Sequence, residues 1–299
     1  MYTPQDRSTV RLHGHTLAYL DLPGEGTPLL LLHGVASSID TWGDIPQGLA
    51  ALGHRVIAVD LLGHGESGPG NGDYSLGSNA ASVRDLLDYL GVERVHMVGH
   101  SLGGGVAMQF TYQFGERVES LSLISSGGLG EQVNRALRAA ALPGSELVMK
   151  LLVSKRVVST LSRYEIFRGA VSSAVATDGQ QSAEPPTSAK LRRLQDPQRL
   201  EGFLATLRSV VGPEGQRVSA LDKLGLVDPH KVLIIWGEED RVLPHSHGVA
   251  AHEMLPGSRF VLVPMAGHHP HNHAPDQVMS ALSEHVTRVE SLAFSAPMH

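Results

Sequence analysis

Val95-His96-Met97-Val98-Gly99-His100-Ser101-Leu102-Gly103-Gly104-Gly105-Val106 is the stretch on which the fold turns. Val95 to Val98 is a short, continuous apolar run, the mark of a strand buried on both faces of a parallel sheet, and Ser101 to Phe114 reads as a helix. Between them Gly99-His100-Ser101-Leu102-Gly103 matches G-x-S-x-G. That string is common in a chain with 33 glycines, so its weight comes from the strand before it and the helix after it. A serine in so tight a turn needs small residues on both sides, because side chains at the flanking positions would collide. At a helix N-terminus the free N–H of Leu102 would face a developing negative charge. The plainer alternative is that Ser101 only caps the helix while Gly103 to Gly105 allow close packing.

Outward from this stretch, strands and helices alternate. Thr9–Leu12 and Thr16–Leu20, separated by His13-Gly14-His15, read as an antiparallel hairpin. Leu29–Leu32, Val56–Val59, Leu121–Ile124, Val232–Trp236 and Phe260–Val263 are further apolar runs, with a helix over Ser78–Leu90. The alternation breaks between about Leu129 and Ala220, where helical patterns at Val133–Ala141, Glu146–Val158 and Pro197–Val210 dominate. Ser172–Ala189, rich in Ser, Ala, Gln and Pro, reads as a mobile loop. The expected organisation is a core over 1–128 and 221–299, with a helical cap at 129–220 inserted after the sixth strand. Leu137, Leu142, Leu147, Met149 and Phe167 suggest that the cap lines an apolar pocket, although helix packing explains them equally well.

Composition narrows the function classes. The 299 residues carry a formal net charge of -6 and no local Lys/Arg cluster, which opposes attraction to phosphates and makes nucleic-acid partners unexpected. There is no cysteine, so thiolate catalysis, disulfides and Cys-bound zinc are excluded. No apolar run approaches the roughly 18 residues needed to span a bilayer, and the first residues lack a signal-like apolar region. The expectation is a cytoplasmic monomer or homodimer that acts on a small molecule and needs no cofactor or metal.

The chain resembles the α/β-hydrolase superfamily, in the group with a helical cap, and the motif order runs from about Thr9 to Ser291. The resemblance implies an α/β fold built on a mostly parallel eight-stranded sheet flanked by helices. His33-Gly34-Val35 is similar to the family's oxyanion loop, which implies Val35 N–H as a donor beside Leu102 N–H. Asp60-Leu61-Leu62-Gly63-His64-Gly65-Glu66-Ser67 resembles the family's turn after the fourth strand, an architectural element that leaves His64 and Glu66 outside catalysis. Ser101 would then be the nucleophile.

A serine hydroxyl needs a base, and the base a carboxylate to hold its tautomer. Gly237-Glu238-Glu239-Asp240 after a buried strand is similar to the family's acid loop, where the Asp three residues past the Gly is the acid; this implies Asp240, with Glu239 next. The alternative site after the sixth strand holds only Ser125-Ser126-Gly127-Gly128. Ala266-Gly267-His268-His269-Pro270 resembles the family's histidine loop and implies His268 as base, with His269 as rival. His273 stands where relatives commonly carry Glu. Four histidines between 268 and 273 also suggest a metal site, but a loop containing Pro270 is not expected to set them on one helical face. The implied activity is cleavage of an ester through an acyl-enzyme; carbon–carbon hydrolases, lyases, cyclases and binding proteins share the fold. Lys155, Arg163 and Arg168 read as solvated cap residues.

Overall fold

The computed structural model describes residues 7–69, 73–153 and 194–295, with side chains up to residue 292. Eight strands form one sheet: β1 (Arg7–Leu12), β2 (His15–Leu22), β3 (Glu25–Leu32), β4 (His54–Val59), β5 (Val95–His100), β6 (Val118–Ile124), β7 (Val232–Gly237) and β8 (Arg259–Val263). Their spatial order is β1-β2-β4-β3-β5-β6-β7-β8. β1 pairs antiparallel with β2, and β2 with β4, while β3 to β8 run parallel. His13 (φ 49°) and Gly14 (φ 87°) make the two-residue turn of the β1–β2 hairpin, both in the left-handed region that matches strand twist.

Consecutive apolar residues are needed because both faces of the central strands are covered. Leu30 and Leu32 of β3 join a core with Leu86, Val106 and Phe110, on α2 (Leu76–Tyr89) and α3 (Leu102–Gln113). Leu29 and Leu31 face the other way, into a core with Ile45 and Leu49 of α1 (Ile45–Ala51) and with Val278 and Leu282 of the C-terminal helix Pro275–Ser295. The period of two along the strand thus feeds two separate cores.

After β6 the chain leaves the sheet for a helical insert. Its described part holds α4 (Arg135–Ala141), α5 (Ser145–Leu152) and α6 (Pro197–Val210) before the return to β7. Asn134 caps α4 through Ala136 N–H, and Asp196 caps α6 through Gln198 N–H, with Pro197 in the first turn. Ala141, Leu200, Phe203, Leu204 and Leu207 form a core of the insert's own. The remaining helices are α7 (Ser246–Met254), α8 (Pro270–His273) and α9 (Pro275–Ser295). The end of the helix expected over Glu146–Val158, the loop at Ser172–Ala189, and Lys155, Arg163, Phe167 and Arg168 lie outside the described residues.

Sheet order determines where a site can form. From β3 the chain goes to β4 on one side, and β5 lies on the other, so a crevice opens at the carboxyl ends of β3 and β5. His33-Gly34 leaves the first of those strands and Ser101 the second.

Candidate active site

Ser101 sits between β5 and α3 with φ 53° and ψ −114°, a strained conformation for a residue with a side chain. Crowding explains the flanking glycines. A Cβ on Gly99 would lie 2.3 Å from Gly103 O, and one on Gly103 would lie 2.1 Å from Leu32 O, both backbone atoms. Four hydrogen bonds hold the turn: Ser101 N–H donates to Ile124 O, while Ser101 O accepts from Gly104, Gly105 and Gly127 N–H. Leu102 is the first residue of α3, so its N–H has no acceptor within the helix. Gly34 lies against the turn, its Cβ position 3.1 Å from Ser101 Cβ. Val35, Leu102 and Ser101 line one cleft.

The acid and base loops meet beside His100, the residue before Ser101. His268 Nδ1 and Asp240 Oδ2 are 2.8 Å apart, with both residues buried. Asp240 Oδ1 accepts from Val242 N–H at 2.8 Å and Leu243 N–H at 2.9 Å, so both carboxylate oxygens are fixed. Burial pushes the Asp240 carboxyl up, but the His268 charge and hydrogen bond and the two N–H donors outweigh it and hold it below its ordinary value. An ionised carboxylate on Nδ1 keeps the proton there and leaves Nε2 as the lone-pair nitrogen. Glu238 and Glu239 are exposed, and Glu238 instead accepts from Met265 N–H. His269 packs on the His100 ring with centroids 4.8 Å apart, His271 lies against Trp42 at 5.0 Å, and His273 is exposed.

Two expectations change. Pro270 does not keep its neighbours out of a helix: it opens the single turn α8, because a proline at the first helical position loses no hydrogen bond. Of the cap residues expected to line a pocket, Leu137 does so, whereas Leu142 and Leu147 are exposed and Met149 packs into the insert's core. Leu147, Val148 and Leu151 of α5 are all exposed, so apolar character alone did not identify the cleft. The cleft is narrow, about 50 Å³, and lined by Val35, Leu137, Leu207, Val210 and Val242 among others.

Two supporting histidines were not foreseen. His33 Nδ1–H donates to Gly34 O at 2.7 Å and Nε2 accepts from Leu61 N–H at 3.0 Å, tying the loop after β3 to the turn after β4. His100 Nε2–H donates to His268 O at 2.8 Å. In that turn, burial pushes His64 down to about 4, and its Nδ1 bonds Leu62 O.

Comparison with known proteins agrees with the fold. The model of the alpha/beta hydrolase fold matches residues 27–274. The chain belongs to the α/β-hydrolase fold family. It is 39% identical over 279 residues to an uncharacterized protein of Mycobacterium tuberculosis, covering 93% of this chain and 80% of the relative. A 2-hydroxy-6-oxononadienedioate/2-hydroxy-6-oxononatrienedioate hydrolase of Comamonas testosteroni is 28% identical over 260 residues, 84% of each chain. A thermophilic esterase from Thermogutta terrifontis superposes with a TM-score of 0.69 at 23% identity, over 95% of this chain and 98% of that one, a likeness of fold. Among the described residues, no helix is long and apolar enough to cross a membrane.

Proposed function

We propose that the protein is a serine hydrolase that cleaves a carboxylic ester of a small, apolar substrate through an acyl-enzyme on Ser101. The observation that carries this is the strained Ser101 at a helix N-terminus beside a buried His268–Asp240 pair. In the first step His268 takes the Ser101 proton as the oxygen attacks the carbonyl carbon, and Val35 and Leu102 N–H receive the oxyanion. His268 then gives that proton to the leaving alkoxide, and a water molecule repeats the sequence on the acyl-enzyme. Asp240 stays ionised and stabilises the imidazolium. The apolar lining of the cleft suits an acyl chain, and the insert, read as a cap over 129–220 between core segments 1–128 and 221–299, would select among chains.

A second reading, hydrolysis of a carbon–carbon bond next to a ketone, is favoured by the Comamonas relative, whose name records a hydrolase of oxo-dienoate compounds. The same nucleophile and donors would serve it. A fluorophosphonate should modify Ser101 alone, and Ser101→Ala should lose both the adduct and the hydrolysis of short nitrophenyl esters. Ester turnover without cleavage of a diketone supports the ester reading. Labelling with diketone cleavage but no ester turnover moves the assignment to the second, and no labelling of folded protein refutes both.

A further inference from the structure

Resting on that reading of Ser101 and His268, we infer that His100 is a positioning residue that ties the base loop to the nucleophile turn. It ends β5 directly before the strained Ser101, and the residue is 1 % exposed. Its Nε2 lies 2.8 Å from the carbonyl oxygen of His268 itself. A carbonyl only accepts, so the Nε2 proton belongs to His100 and the ring donates it. On the other side the ring meets the loop that carries Val35: His100 Nδ1 lies 3.0 Å from where a Cβ on Gly34 would stand. One side chain therefore touches the nucleophile turn, the oxyanion loop and the base loop.

The histidine loop has other anchors upstream of His268. Met265 N–H donates to Glu238 and Glu239 N–H donates to Ala266 O, three and two residues upstream. Asp240 fixes the imidazole at Nδ1, which still allows the ring to swing as its peptide moves. The bond from His100 removes that freedom, because the peptide of the base is then referred directly to the residue before the nucleophile. Ring contacts with His268 at 5.0 Å, His269 at 4.8 Å and His271 at 4.5 Å hold the donor in place. Proton transfer depends steeply on such registration, and a displacement of about 1 Å costs about 100-fold in rate.

His100→Phe keeps a ring and removes the donor, while His100→Gln returns an N–H donor on a shorter side chain. For a short nitrophenyl ester, His100→Phe should lower kcat about 10- to 100-fold with KM within about twofold, and slow fluorophosphonate labelling of Ser101 by the same factor. His100→Gln should recover most of the rate. The far-downfield proton resonance of the His268–Asp240 hydrogen bond should broaden or shift in His100→Phe and return in His100→Gln. Both variants at the wild-type labelling rate, in a wild type that labels normally, would overturn the role of His100 and leave the hydrolase reading standing. A kcat loss equal in both variants with an unchanged resonance would also overturn it, since that marks packing rather than the donor. If His100→Phe fails to fold, a soluble His100→Gln with a rate below one tenth of wild type and a lost resonance would equally count against it. A wild type that does not label refutes the parent reading instead.

Discussion

Asp240 does two things that its acidic neighbours cannot do from the surface. One oxygen is pinned by Val242 and Leu243 N–H and the other meets His268, so the carboxylate sets both the position and the tautomer of the ring. Asp240→Asn would keep an acceptor for the two N–H groups, and the fold should survive. Its amide would present a donor to Nδ1, however, and favour the tautomer with the proton on Nε2, where it blocks attack. Turnover should fall by about 10⁴-fold, as tautomer loss does in the triad template, while Glu239→Gln stays near wild type. Steady-state kinetics of the two variants would decide, and the reverse pattern would remove Asp240 from the proposed triad. This residue could be proposed from the sequence because its surroundings resemble the family's acid loop: a buried strand, a Gly, and an Asp three positions on. His100 could not. Its partner is 168 residues away, and nothing in a pattern read along the chain reports which carbonyl a side chain will meet in the fold.

At the scale of elements, the junction of β5, the serine turn and α3 depends on how closely α3 approaches β3. The Cβ of an alanine at 103 would fall 2.1 Å from Leu32 O and 2.5 Å from its carbonyl carbon, and backbone cannot step aside as a side chain end can. Gly103→Ala should therefore destabilise the protein by about 3 kcal/mol, at the upper end of overpacking costs, and also displace the Leu102 N–H. Denaturant melts would show it, and an unchanged midpoint would mean that α3 has more room than this geometry allows. The central strands were legible for the same physical reason, since a strand covered on both faces must be apolar at every position. α6 was legible too, as Asp196-Pro197 is a strong start signal. What could not be read were properties set by neighbours: that Pro270 begins a turn of helix, and that Leu142 and Leu147 face solvent while Leu137 faces the cleft.

For the whole molecule, the most consequential feature is how many histidines the fold buries without charging them. His64 in the turn after β4, His96 on β5 and His285 on α9 are each pushed down to about 4, with burial as the main cause. For His96 the nearby Glu119 works the other way, while His285 and His54 add to the depression. In the unfolded chain each would titrate near its ordinary value of about 6.5. Above that pH neither state binds the proton, and the full stability is present. As pH falls from about 6.5 toward 4, the unfolded chain takes up three protons that the folded protein refuses. Each costs about 1.4 kcal/mol per pH unit, so the three together reach about 4 kcal/mol per unit. Asp60 acts in the opposite sense, because burial raises it and the folded state then gains a proton before the unfolded one does. As a single group it offsets only part of the loss. The melting temperature should be nearly flat above pH 7 and drop steeply between pH 6 and 4.5, and the double variant His96→Gln/His285→Gln should show a shallower drop. A melting temperature that stays level down to pH 5 would mean that these three rings find protons in the folded state after all.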